Sequence, residues 1–252
     1  MSRRKRAEKI AAEVAARADA ESAPVSALDQ TAAANGWVAV AVTPMTDEDI
    51  GCICRVALGT HGATDPDKYR REGFRNLFMT PPATGPTYMQ YSRALLTHCY
   101  EGTVDSRRFF VGDAFFDIEI ATPPAGYSGP IATPEELAVA FCAVTLPAPL
   151  PWLQLIRTMK SWIPNHSGSL GYPELDSLYT SFCPVRGAAT RIVGPEVAAL
   201  VASRDDWGLL VNRATLICVA SGPFSTGTDA QELVTSAIRI ANLMPSDPST
   251  MP

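Results

Sequence analysis

Three stretches of this chain place chemically able side chains close together. Gly59-Thr60-His61-Gly62 sets an imidazole between small residues, with Asp65 and Asp67 just beyond. A general base oriented by a carboxylate needs that kind of arrangement. His61 is therefore one candidate for hydrolase-like chemistry, and an exposed loop histidine is the alternative. His98-Cys99 is followed by Tyr100 and Glu101. A Cys–His pair can supply a nucleophile and its base. Neighbours on a strand point to opposite faces, however, so His98 and Cys99 would not serve each other. His98 would share a face with Tyr100, and Cys99 with Glu101. His98 is the second catalytic candidate, weighed against one buried cysteine and one exposed histidine. The third stretch is Trp152 and Trp162 bracketing Arg157 and Lys160. That basic–aromatic patch suits a partner protein or a nucleic acid; core and rim packing is the alternative.

Other chemistries lack their residues. The three histidines, His61, His98 and His166, are far apart in sequence. Cys52 and Cys54 are separated by one residue, which is not the spacing of a zinc finger. No metal site and no cofactor is expected. Neither GxGxxG nor GxxxxGK[ST] occurs, so no phosphate cradle is expected. The six cysteines form no CxxC pair, and several lie in apolar runs such as Phe141-Cys142-Ala143-Val144. They read as buried thiols in a reducing, cytoplasmic compartment.

Charge divides the chain unevenly. Residues 1–20 carry six basic residues (Arg3, Arg4, Lys5, Arg6, Lys9 and Arg17) and three acids (Glu8, Glu13 and Asp19), while the whole chain has a net charge of −5. An acidic body argues against general nucleic-acid binding. Arg3-Arg4-Lys5-Arg6 could touch nucleic acid, anionic lipid or a partner; a solvated helix start is the alternative. No apolar segment follows this basic start, so neither a targeting peptide nor a membrane span is expected.

The elements that must position these residues are partly legible. Residues 1–26 read as a basic Ala-rich helix and linker, 27–245 as a single α+β domain, and 246–252 as a disordered tail. Leu28–Asn35 is expected to be a short helix stopped at Gly36, followed by a strand over Trp37–Val42. Gly51–Leu58 is expected to be a strand that puts Cys52, Cys54 and Val56 on one face. Ala94–Val104 and Phe109–Ile120 should pair through a turn near Asp105-Ser106-Arg107. Leu137–Leu146 should be a strand buried on both faces. Pro147, Pro149 and Pro151 then suggest a tight bend, with Trp152–Arg157 returning. Leu178–Val185 reads as a strand. Trp207–Val211 and Ala214–Ala220 read as a hairpin turning at Asn212-Arg213. Pro195 opens a helix that faces the core through Val197, Leu200 and Val201. Thr228-Asp229-Ala230-Gln231 matches a capping box for a last helix with a stripe at Leu233, Ala237, Ile240, Ala241 and Met244.

The order of these pieces from about 97 to 243 resembles the actinobacterial form of the DUF3137 family. The resemblance is carried by Tyr100-Glu101-Gly102-Thr103 and the proline-flanked Val144-Thr145-Leu146-Pro147-Ala148-Pro149-Leu150-Pro151. Tyr179-Thr180-Ser181-Phe182, the helix after Pro195, the Trp207–Ala220 segment and the terminal helix continue it. It implies a fold order and supplies no catalytic residues. It also implies relatives anchored by apolar N-terminal helices, which this chain replaces with a charged segment. The expectation is an α+β protein: an antiparallel β-sheet with two packed helices and an extra N-terminal helix. Its expected role is non-enzymatic, as a cytoplasmic interaction or scaffold protein. The alternatives are a hydrolase-like enzyme using His61 or His98, and a membrane-surface protein recruited by the basic helix.

Overall fold

The computed structural model describes residues 27–40, 45–46, 49–51, 53–54, 56–57, 89–120, 135–157, 169–204, 207–224 and 229–246. The basic arm, the loop around His61, and Cys52, Lys160, Trp162 and His166 lie outside these residues. So does the tail from 247 onward.

The chain builds a mixed α+β fold. Helix α1 spans Ala27–Asn35 and stops where Gly36 takes a φ of 67°. Strand β1 is only Val38–Ala39. Strands β2 (Met89–Val104) and β3 (Arg107–Ile120) form a hairpin. Asp105 and Ser106, at φ 50° and 64°, make its turn. Two successive positive φ values are the signature of a tight hairpin loop that matches strand twist. Strand β4 runs from Glu135 to Arg157. Helix α2 (Pro173–Leu178), strand β5 (Tyr179–Phe182), and helices α3 (Ala188–Ile192) and α4 (Pro195–Ala202) follow. Strand β6 (Trp207–Ser221) and helix α5 (Ala230–Leu243) complete the order.

All six strands join one antiparallel sheet, in the order β1-β2-β3-β4-β5 with β6 also on β4. Ala140–Val144 pair with both β3 and β6, and Gln154 and Leu155 pair with both β5 and β6. Strand β6 therefore lies along one edge of β4, while β3 and then β5 share the other.

The expected bend at the prolines and the expected hairpin at Asn212-Arg213 are both absent. Each segment is one continuous strand with an irregularity where the two meet. Register slips between Thr145–Thr215, Leu150–Arg213 and Leu153–Val211, and Arg213 has a φ of 52°. Before the slip β4 presents Cys142, Val144, Leu146 and Leu150 to one core cluster; after it, Leu153 and Leu155. The alternation changes phase. Strand β6 changes phase too, from Val211 to Leu216. A bulge does this: extra residues shift the two-residue period while the apolar side chains stay inward.

The sheet has two covered faces. On one, α1, α4 and α5 pack over Trp37, Phe109, Cys142, Leu155, Leu209 and Cys218. Helix α5 puts Leu233, Ala237, Ile240, Ala241 and Met244 into this layer. Its cap is Asp229, whose carboxylate accepts the Glu232 amide at 2.9 Å. Asp229 thus caps the helix one residue after the Thr228 box expected from sequence, while the Glu232 carboxylate pairs with Arg204; Thr228 lies outside the described residues.

The other face is covered by the second correction. Residues 49–51, 53–54 and 56–57 are helical, where a strand was expected over Gly51–Leu58. Ile50, Ile53, Cys54 and Ala57 stand at the i, i+3, i+4, i+7 spacing of a helix face, and all belong to or pack against the core cluster that holds Phe110, Phe116, Phe141 and Ile217. The start is a reciprocal cap. Asp49 accepts from the Thr46 amide at 3.1 Å and the Thr46 hydroxyl at 2.7 Å. The Asp49 amide donates back to Thr46 Oγ1 at 3.2 Å. Met45 and Ile50 occupy the hydrophobic-staple positions and pack on the same cluster. Thr46→Ala should lower stability by about 1 kcal/mol, read as a fall in the urea midpoint with an unchanged slope.

Candidate functional site

The sheet places His98 at a second irregularity. In β2, Thr97 pairs with Asp113 and Tyr100 with Val111, so His98 and Cys99 together face Gly112. His98 has a φ of 49°. That left-handed conformation costs a non-glycine residue roughly 1–2 kcal/mol. Gly112 is required opposite it. A Cβ there would sit 2.7 Å from Cys99 Sγ and 3.2 Å from the Thr97 carbonyl oxygen. The bulge thus rests on a glycine that leaves room for a thiol.

Around the bulge, ionisable side chains meet from three elements. Cys99 packs on the face covered by the 49–57 helix, whereas Tyr100 packs on the opposite face. The expected separation of His98–Tyr100 from Cys99–Glu101 survives the bulge on the Cys99 and Tyr100 sides. Burial first, then the negative charge of Asp113, pushes the Cys99 thiol up to about 12. A thiol held protonated is a poor nucleophile. Cys99 instead donates to the Thr97 carbonyl at 3.5 Å.

Tyr100 donates to Asp29 of α1 at 2.7 Å. Burial, this bond and the Asp29 charge push its hydroxyl up to about 12. Asp113, only 4% exposed, accepts the Phe224 amide at 2.8 Å. It ties β3 to the segment that leads into α5. Burial pushes the Asp113 carboxyl up to about 6, the Phe224 bond and the nearby His98 oppose that rise, and Asp29 adds to it. Sequence reading singled out His98 and Tyr100 but missed Asp29 and Asp113. Asp113 lies in an alternating strand run, and only the register shows that its position faces inward.

Beside the bulge lies an open cleft of ≈ 270 Å³. Val40 and Ile50 form one wall, and β2 from Ala94 to Cys99 forms the other. His98 is exposed at its end. A second cleft, of ≈ 170 Å³, is lined by Asp49, Glu101, Arg108, Thr145 and Thr215 among others. Its charged groups are already engaged: Glu101 pairs with Arg108 at 3.5 Å, and Asp49 caps its helix and accepts from Asn212 at 3.3 Å.

Of the remaining sequence candidates, the described Trp152 and Arg157 lie on different faces of the sheet. Trp152 packs on the cluster under the 49–57 helix. Arg157 falls in step with Leu153 and Leu155, which belong to the other face, so Trp152 and Arg157 do not form one patch. Among the described residues no group of three His, Cys, Asp or Glu side chains could hold a metal ion. Among them, too, no helix is long and apolar enough to cross a membrane.

No family model matches this chain. No curated protein matches it either. One solved structure is similar, the mycobacterial trehalose monomycolate transport factor A. It is 11% identical, with 61% of this chain and 76% of that chain covered and a TM-score of 0.37. A likeness of that degree assigns neither fold nor function.

Two outcomes test the bulge. Gly112→Ala should cost about 1–3 kcal/mol through overpacking, and adding Cys99→Ala should recover part of that loss in urea unfolding. Asp113 tests the electrostatics. Its folded-state carboxyl titrates near 6, against an ordinary 3.8, so the folded chain binds this proton more tightly than the unfolded chain. The contribution is present below the ordinary value and is lost as pH rises through 6. Asp113→Asn keeps an oxygen for the Phe224 amide and removes the titration. It should exceed wild type in stability by roughly 1–3 kcal/mol at about pH 8, a gap that closes as pH falls to about 4 in thermal melts.

Proposed function

We propose that this chain is a non-enzymatic interaction module acting in the cytoplasm, and that its partner is a protein. The observation that carries this reading is how the bulge spends its reactive groups. Asp29 holds Tyr100, Asp113 holds the Phe224 amide, and burial keeps Cys99 protonated. These bonds join α1, β2, β3 and the entry to α5. They serve the scaffold, while the cleft alongside offers apolar side chains and strand backbone. The kinship with the DUF3137 family suggested by residues 97–243 is part of the same proposal and adds no chemistry.

A second reading has one observation in its favour. Asp113 is a buried carboxyl raised towards neutrality beside an exposed histidine, and such pairs often mark acid–base sites. On that reading His98 is the general base of a hydrolase-like enzyme. The parallel candidate His61 and the membrane-surface alternative based on Arg3, Arg4, Lys5 and Arg6 concern residues outside the described ones.

Site-directed photocrosslinking separates the two. A photoreactive residue is placed in turn at Leu95 in the cleft, at the exposed Val185, and at Gln231 on the outer side of α5. The module reading expects saturable capture of one protein from at least one position, competed by unlabelled chain and unchanged by His98→Ala. Capture from none of the three, or capture abolished by H98A, would overturn it.

A further inference from the structure

We propose that a partner polypeptide adds to the outer edge of β2 as an extended strand, in line with β1, and turns apolar side chains towards Val40, Ile50 and Leu96. This rests on the interaction-module reading and names the partner's chemistry.

The edge itself makes the first argument. Strand β2 pairs with β3 from Met89 to Val104 along one side. Its other side is used briefly. Val38 and Ala39 pair antiparallel with Glu101 and Tyr100, and the Val40 amide donates to the Cys99 carbonyl at 2.9 Å. Among the described residues no strand continues that pairing towards Ala94. The two stretches are one edge, and β1 demonstrates that it accepts an antiparallel strand. Unpaired strand backbone is a template for further pairing, and its hydrogen-bonding groups give affinity whatever the partner's sequence.

The walls of the cleft choose the side chains. The cleft follows β2 from Ala94 to Cys99, six successive residues, so both faces of the strand border it at its edge. Short of the His98 bulge the open edge is residues 94–97, and at ~3.3 Å per residue it accommodates a strand of about four residues. Val40, Ile50, Ala94, Leu96 and Cys99 all pack against the apolar cluster on the side of the 49–57 helix. Among the described residues no Asp, Glu, Lys or Arg lines the cleft. A charged side chain entering between Val40, Ile50 and Leu96 would give up hydration against apolar groups. The fitting segment therefore alternates, with apolar residues on the side of Ile50 and polar residues on the other. The His98 bulge marks the limit of the added strand, because it interrupts the ladder between the open stretch and the part that β1 occupies.

The test selects random octapeptides displayed on phage against the whole immobilised chain. Enriched peptides should alternate apolar and polar residues. In synthetic versions, N-methylation of every second amide should weaken binding tenfold or more, and methylation of the intervening amides should change it little. That alternation is specific to strand addition and needs no variant of the protein. Leu96→Glu, checked for folding by circular dichroism, should reduce affinity by a similar factor. No enriched peptide, an equal response to methylation at all amides, or binding unaffected by L96E would overturn the proposal. Crosslinking from Val185 or Gln231 without crosslinking from Leu95 would overturn it too, while leaving the interaction-module reading intact.

Discussion

The pairing of β4 with β6 is the constraint on which the rest of the molecule depends. Strand β4 carries β3 and then β5 on one edge, and β6 follows its other edge past both. A strand buried on two faces tolerates a change of phase only if its partner changes at the same place. Otherwise every residue beyond the slip would turn its side chain to the wrong layer. Both strands shift around Leu150 and Arg213. Proline can neither donate to a ladder nor sit in an ordinary central strand, so Pro147, Pro149 and Pro151 fall where ladder bonds are disrupted. Arg213 supplies the matching irregularity with its positive φ. The two core clusters stay continuous across the slip because the errors in period cancel.

The bulge in β2 follows the same logic on a smaller scale. Two residues oppose one, and the one must be glycine because Cys99 fills the space a side chain would need. What differs is the chemistry around it. The strand there carries polar residues into a layer where α1 and the entry to α5 close over them. Each is met by a specific donor or acceptor, as buried polar groups must be. The resulting hydrogen bonds span more than seventy residues of sequence between Asp29 and Tyr100, and more than a hundred between Asp113 and Phe224. They fix the helical layer on the sheet at the point where β2's outer edge runs out beside Val40.

Where sequence reading failed, it failed for a common reason. Ile50, Ile53, Cys54 and Ala57 show helical spacing, but the run is short and rich in residues that also suit strands, and period alone does not settle short apolar runs. The prolines of β4 and the Asn212-Arg213 step of β6 interrupt alternation, and an interruption looks the same in one strand whether the chain turns back or bulges. The partner decides, and the partner lies far away in sequence. The candidate site was half legible for a similar reason. His98 and Tyr100 stand out by residue type, whereas Asp29 and Asp113 matter only because register and packing bring them there.

The sequence by itself determined the elements whose signals are local. The stop at Asn35-Gly36, the Asp105-Ser106 turn, the helix opened by Pro195 and the stripe of α5 are each set by residues within a few positions of one another. Capping, turn geometry and amphipathic spacing act over that range. The tertiary structure alone decided that β4 and β6 run on through their breaks, that residues around 53 form a helix, and that His98 sits in a left-handed bulge beside a buried carboxyl. These depend on pairing register and on which face is covered, and a chain acquires both only when distant segments meet.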